Sequence, residues 1–148
     1  MSGLKLPERL MNRMIEHARR EIPNESCGLL AGRGDTASHL YIIKNLEDSP
    51  RLQSLNIPAD RRVRYFMDEA QIFYAQKNMR DNHLDLVAIF HSHPAGPDVP
   101  SATDVRLAFY PEARYIIISL TEPEKPAINS FRIVEGKVSR EALEMIEG

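Results

Sequence analysis

The sequence predicts an α/β or α+β fold, a sandwich built around a mixed β-sheet. Three observations lead there. Amphipathic helical patterns interleave with short apolar runs of strand length. The runs Leu86–Phe90 and Tyr115–Leu120 are continuously apolar or nearly so, as strands covered on both faces are. The alternation keeps no strict βαβ rhythm, which points to a mixed sheet and not a purely parallel one.

The first helix is expected to start near Pro7, a residue suited to the first helical turn. Leu10, Met11, Met14, Ile15 and Ala18 form its apolar stripe, and Pro23 and Asn24 end it. Cys27–Ala31 reads as a strand entering the turn Gly32-Arg33-Gly34, with His39–Asn45 as its hairpin partner. Gly28 and Gly32 suit a close backbone approach or a turn. Residues 46–64 read as a long surface loop carrying Arg51, Arg61, Arg62 and Arg64. Asp68 is a suitable N-cap for a second helix, in which Ala70, Ile72, Phe73, Ala75 and Met79 recur. A short helix can begin after Ser101. Ile128–Val134 reads as a further strand, followed by a turn at Glu135-Gly136. Ser139 is expected to cap a final helix ending near Glu147.

With 148 residues, the chain suits one domain, 1–148. Its apolar content of 43% is too high for a disordered chain. The longest apolar run is far short of a membrane span, and Met1–Leu10 lacks the apolar segment of a signal peptide. The single cysteine, Cys27, excludes an internal disulfide and suits a reducing cytoplasm. A net charge of −2 and the absence of Trp argue against nucleic acid or an anionic membrane as partner.

One stretch carries chemistry: His91-Ser92-His93-Pro94, then six residues, then Ser101-Ala102-Thr103-Asp104. Residues two apart on an extended chain share a face, so His91 and His93 can aim both imidazoles at one point. Pro94 biases His93 toward the extended region. The pair follows a core strand, which delivers its last side chains rigidly to the rim of the fold. The loop through Pro94, Pro97 and Pro100 is stiff enough to fold Asp104 back toward them. Two imidazoles and a carboxylate make an open Zn²⁺ shell, with the fourth position left for water. Zinc lowers the pKa of such a water to roughly 7, and a nearby carboxylate is then needed to move its proton. Other readings stay open on these residues alone. The histidines can be two exposed loop residues, and Ser101-x-x-Asp104 can be a simple capping box.

His91-Ser92-His93-Pro94-x6-Ser101-x2-Asp104 resembles the JAMM (MPN-plus) metalloprotease motif, H-[ST]-H-P-x6-S-x2-D, at every position. Upstream, Pro23-x-Glu25-x-Cys27-Gly28-x-Leu30-x-Gly32 resembles the glutamate segment of the bacterial members. The resemblance implies a cytidine-deaminase-like α/β/α sandwich with Zn²⁺ held by His91, His93 and Asp104. It implies that Glu25 is general base and then acid, and that Ser101 donates to the oxyanion. No nucleophilic or ligand role falls to Cys27, and no catalytic role to Ser92.

The short bacterial type is similar to hydrolases of ubiquitin-like sulfur-carrier proteins. The implied reaction is cleavage of an amide or isopeptide bond at the carrier's C-terminal Gly-Gly, releasing cysteine or another amino acid. A Gly-Gly tail could lie in a groove beside a sheet edge, with the 46–64 loop contacting the carrier. Three alternatives stand beside this: a zinc peptidase acting on other peptides or ubiquitin-like tails, a non-catalytic MPN binding module, and a RadC-type protein. The last is disfavoured by the acidic charge and by the lack of a helix-hairpin-helix region.

Overall fold

The structure is a computed structural model that describes residues 3–46, 53–57 and 60–148. Among these, eight strands and three helices follow one another: β1 (Leu4–Pro7), α1 (Glu8–Glu21), β2 (Cys27–Arg33), β3 (Thr36–Ile43), α2 (Glu69–Asp81), β4 (Asp85–His93), α3 (Ala102–Arg106), β5 (Arg114–Ser119), β6 (Ala127–Val134), β7 (Lys137–Glu141) and β8 (Leu143–Ile146). All eight strands join one sheet in the order β7-β6-β5-β4-β2-β3-β1-β8. It is mixed, as expected. β4 runs parallel to β5 and antiparallel to β2, while β1 runs parallel to both β3 and β8.

The sheet curls back on itself. Its two edge strands, β7 and β8, are successive segments of the chain with only Ala142 between them. Side-chain alternation then sorts the core into two layers. On one face, Leu10, Met14 and Ala18 of α1 pack with Leu4, Leu6, Leu30, Phe90, Ile116 and Ile118. On the other, Ala75 and Met79 of α2 pack with Leu29, Ile43, Ile89, Tyr115 and Ile133. Gly28 is required by close approach: a Cβ there would stand 2.4 Å from the Phe90 ring, its neighbour across the β2–β4 ladder.

The chain departs from the sequence expectation at both ends. The first helix begins at Glu8, beside Pro7 as expected, but a strand not expected, β1, precedes it and ends on Pro7, which stands at the N-cap. The signal for β1 was present in the alternation of Leu4 and Leu6 about Lys5, and both leucines are fully buried. The expected final helix after Ser139 is instead β7 and β8. Glu135 and Gly136 both have positive φ (51° and 78°), and such a two-residue turn directs the chain back along β6. Backbone pairing to β6 and then to β1 overrides the helical preference of Glu, Leu and Met in this stretch.

Ion pairs cross this region as well. The Arg114 guanidinium is buried; its Nε donates to Glu141 at 2.6 Å and its Nη2 to Asp35, and Arg132 donates to the other Glu141 oxygen at 2.9 Å. Replacing Arg114 by Met leaves Glu141 with one partner and Asp35 without this one. We expect a loss of about 1–3 kcal/mol in urea unfolding, below the ~3–5 kcal/mol of a fully buried pair because Asp35 is 40% exposed.

Candidate active site

The site forms where β2 and β4 end. β4 extends three residues past the apolar run and carries both histidines: His91 pairs with Cys27 on one side and Ile117 on the other, and His93 pairs with Ser119. Pairing holds the backbone on both sides at His91 and on the β5 side at His93, and the two-residue period turns both imidazoles to one face. Ser92 points to the opposite face. There it accepts hydrogen bonds from the Ser26 amide at 2.8 Å and hydroxyl at 2.9 Å, and its own amide donates to the Ser26 carbonyl. Ser92 thus pins the residue next to Glu25, a positioning task that its place between two histidines concealed.

Asp104 arrives from the N-terminus of α3. Ser101 and Asp104 do form a capping box: the Ser101 Oγ accepts from the Asp104 amide at 3.0 Å, and Asp104 Oδ2 accepts from the Ser101 amide at 2.8 Å. The cap and the site are one device. The same Oδ2 lies 3.0 Å from His91 Nε2 and 3.0 Å from His93 Nε2, and the two nitrogens are 3.0 Å apart. The proline-rich connection supports this arrangement. The carbonyl of Pro97 accepts from His93 Nδ1 at 2.6 Å, which leaves Nε2 of a neutral His93 ring with its lone pair facing the cluster. That connection is anchored in turn by Ser119 and Thr121, which donate to the Gly96 carbonyl, and by Asn129, which donates to Asp98.

Glu25 completes the cluster. Ligand atoms from Glu25, His91, His93 and Asp104 all lie within 4.8 Å of one another, and all four residues are buried. Its backbone is held by the 60–66 segment, since the Glu25 amide donates to the Arg61 carbonyl at 2.6 Å. Asn45 joins the pieces: its amide donates to the carbonyls of Glu25 and Arg64 at 3.0 Å each, and its oxygen accepts from the Phe66 amide at 2.9 Å. Nothing in the sequence around Asn45 signalled this; it emerges only when three distant segments meet.

The donor set fits a divalent cation. Tetrahedral donors 2.0–2.1 Å from zinc stand roughly 3.3 Å apart, close to the spacing found. Two buried polar atoms of the site, Glu25 Oε1 and His91 Nδ1, also lack a hydrogen-bond partner, as expected of groups arranged for something other than each other. Cys27 is not among these groups; burial raises its thiol pKa and its Sγ points to the Ile43 carbonyl at 3.4 Å.

Burial and neighbours set the protonation states without a metal. Burial holds His91 below the ordinary histidine pKa, so its ring is neutral. For His93 burial also acts downward, but hydrogen bonds to Asp104 and Pro97 outweigh it and the net shift is upward. Burial acts upward on Asp104, but its histidine and amide partners outweigh this and hold it ionised. Burial pushes Glu25 up to about 8, with the Asp104 charge adding to the rise and His93 opposing it. Beside these groups lies a cleft lined by Glu25, His93 and Ser101, with Arg62, Val63 and Val99. Arg62 and Val63 line one side and residues from the 94–101 loop the other, and His93 between them is paired to β5 alone. Arg51 lies outside the described residues. No helix among the described residues is long and apolar enough to cross a membrane.

The fold and these four groups define a chain of the JAB-domain type, a candidate metal centre at the end of a curled mixed sheet. A profile of prokaryotic homologs of the JAB domain matches residues 7–134, and the chain belongs to that family. It is 36% identical over 140 residues to the CysO-cysteine peptidase of Mycobacterium tuberculosis, covering 93% of this chain and 88% of that one. It is 29% identical over 134 residues to a probable TtuB-protein conjugate cleaving protease of Thermus thermophilus, covering 90% and 78%. A solution structure of a Desulfitobacterium hafniense protein superposes with a TM-score of 0.81 at 40% identity, covering 98% of this chain and 94% of that one.

Glu25 also sets a pH dependence. Its pKa is near 8 in the folded, metal-free protein and about 4.5 when unfolded. Between these values the folded state keeps a proton that the unfolded state releases, so stability falls as pH rises. The Glu25→Gln variant should lack this component. The wild-type minus variant difference in chelator-treated protein, followed by denaturant melts from pH 4.5 to 8.5, should fall by on the order of a few kcal/mol.

Proposed function

We propose that this chain is a zinc-dependent hydrolase acting on a ubiquitin-like sulfur-carrier protein. It cleaves the amide or isopeptide bond after the carrier's C-terminal Gly-Gly and releases cysteine or another amino acid. The observation that carries this reading is the meeting of two imidazole Nε2 atoms and one carboxylate oxygen at 3.0 Å beside a buried glutamate. It does so in a chain 36% identical to a CysO-cysteine peptidase. A single domain, 1–148, then provides both catalysis and substrate grip, and a reducing cytoplasm suits its single buried Cys27.

His91, His93 and Asp104 would hold the ion, with His93 oriented through Pro97. When bound, a zinc ion polarises a carbonyl and lowers the pKa of water to about 7. Glu25 takes the proton of the attacking water and delivers it to the leaving nitrogen, first base and then acid. Its raised pKa suits proton exchange near neutrality, and a cation beside it would draw that value down. The Ser101 hydroxyl donates a hydrogen bond to the oxyanion of the tetrahedral intermediate. The bond it accepts from the Asp104 amide uses a lone pair and not the hydroxyl proton. The cleft has apolar lining from Val63, Val99 and Pro100 and opens beside Glu25 and His93, where an extended Gly-Gly tail can lie. Arg62, which lines it, supports contact with the carrier. The Thermus relative favours a second reading, in which the leaving amine belongs to another protein.

Metal content and turnover separate these roles. Purified protein should carry about one zinc per chain, and His91→Ala and Asp104→Ala should lose it. Glu25→Gln should keep the zinc and lose 10²- to 10⁴-fold in turnover, the usual range for a general acid–base. The assay is mass spectrometry of carrier conjugates bearing either a C-terminal amino acid or a lysine-linked protein. Full zinc in both ligand variants, or undiminished turnover in Glu25→Gln, would overturn the assigned roles. Cleavage of only the lysine-linked conjugate would select the second reading.

A further inference from the structure

Tyr65 stands outside every motif in the sequence, at the end of the loop read as a carrier contact. In the fold its ring stacks on His91, with centroids 4.3 Å apart and planes 23° from parallel. His91 is the one histidine of the cluster whose Nδ1 has no hydrogen-bond partner, whereas His93 is oriented by the Pro97 carbonyl. The segment that presents Tyr65 also accepts the Glu25 amide through Arg61 and is fastened by Asn45. The ring thus sits on the same support as Glu25.

We propose that Tyr65 is a positioning residue for the metal centre, holding the His91 imidazole by stacking where a hydrogen bond to Nδ1 is lacking. This rests on the metal-site reading above. The physical argument is electrostatic as well as steric. An imidazole that donates its Nε2 lone pair to a cation becomes electron-poor, and the electron-rich face of a tyrosine attracts such a ring. The stack therefore favours the metal-bound state over the metal-free one, and a side chain of equal size with no such face would not. The hydroxyl has no part in this, so phenylalanine should substitute.

The test is zinc affinity of the full chain, measured by competition with a chromophoric chelator, for wild type, Tyr65→Phe, Tyr65→Leu and a chain with pentafluorophenylalanine at position 65. The fluorinated ring keeps the shape and reverses the sign of its face. Tyr65→Phe should bind within about 3-fold of wild type. The fluorinated chain and Tyr65→Leu should bind about 3- to 30-fold more weakly, the range of a partly to fully desolvated cation–π contact. Cobalt substituted for zinc should show an altered visible spectrum in the same two proteins. Should Tyr65→Leu fail to fold, the comparison of the two aromatic rings still decides. Equal affinity of the fluorinated and phenylalanine chains would overturn the proposal. A wild type that binds no metal would instead overturn the metal-site reading itself.

Discussion

The two-sided hydrogen bonding of β4 is the constraint from which the rest of the site follows. An interior strand has no freedom to shift its register without breaking two ladders, and here the ladders run through His91 on one side and both histidines on the other. The residues that precede the histidines, Val87 to Phe90, are buried in two separate core layers. Pulling either imidazole out of line would drag these side chains with it. The same pleat that aims His91 and His93 at Asp104 sends Ser92 to the other face, where it holds Ser26. One strand therefore places two members of the cluster directly and constrains a third, Glu25, through its neighbour.

Four ionisable groups in a buried space are costly unless their charges are matched. The protonation pattern matches them. His91 is held below the ordinary histidine value and His93 above it, Asp104 is held low, and Glu25 is raised to about 8. A cation entering this cluster competes with protons for these groups, which couples metal affinity to pH. The cost of burying the groups is carried by the scaffold: the capping box on Asp104, the Pro97 carbonyl on His93 and the Asn45 network on Glu25. Two of these are contacts between side chain and backbone within four residues of each other, and the third joins Asn45 to Glu25 across 20 positions.

What was legible in the sequence divides along the same physical line. His91, His93 and Asp104 could be placed together because strand parity and a short stiff loop are local rules, and the central strands could be read from continuous apolar runs. The terminal strands could not. β7 exposes most of its side chains and is held by backbone pairing to β6, so its composition carries no strand pattern and its residues read as helix. β1 was readable from Leu4 and Leu6 but is only four residues long. Glu25 had no intrinsic mark as a site residue; its burial depends on Asn45 and the 60–66 segment, which lie 20 and more positions away.

The 60–66 segment changes what kind of loop this is. Read from composition, residues 46–64 formed an arginine-bearing surface loop, suited at most to touching a partner, and Tyr65 and Phe66 lay outside it. In the fold the backbone of the 60–66 segment takes the Glu25 amide, its Phe66 amide engages Asn45, and its Tyr65 ring covers His91, while Arg62 and Val63 face the cleft. The side chains of this short segment are thus divided between the buried cluster and the cleft. On the proposed reading, a carrier pressing on the outer residues would act on a backbone directly hydrogen-bonded to Glu25, so one segment of seven residues would serve both substrate grip and the placing of the glutamate.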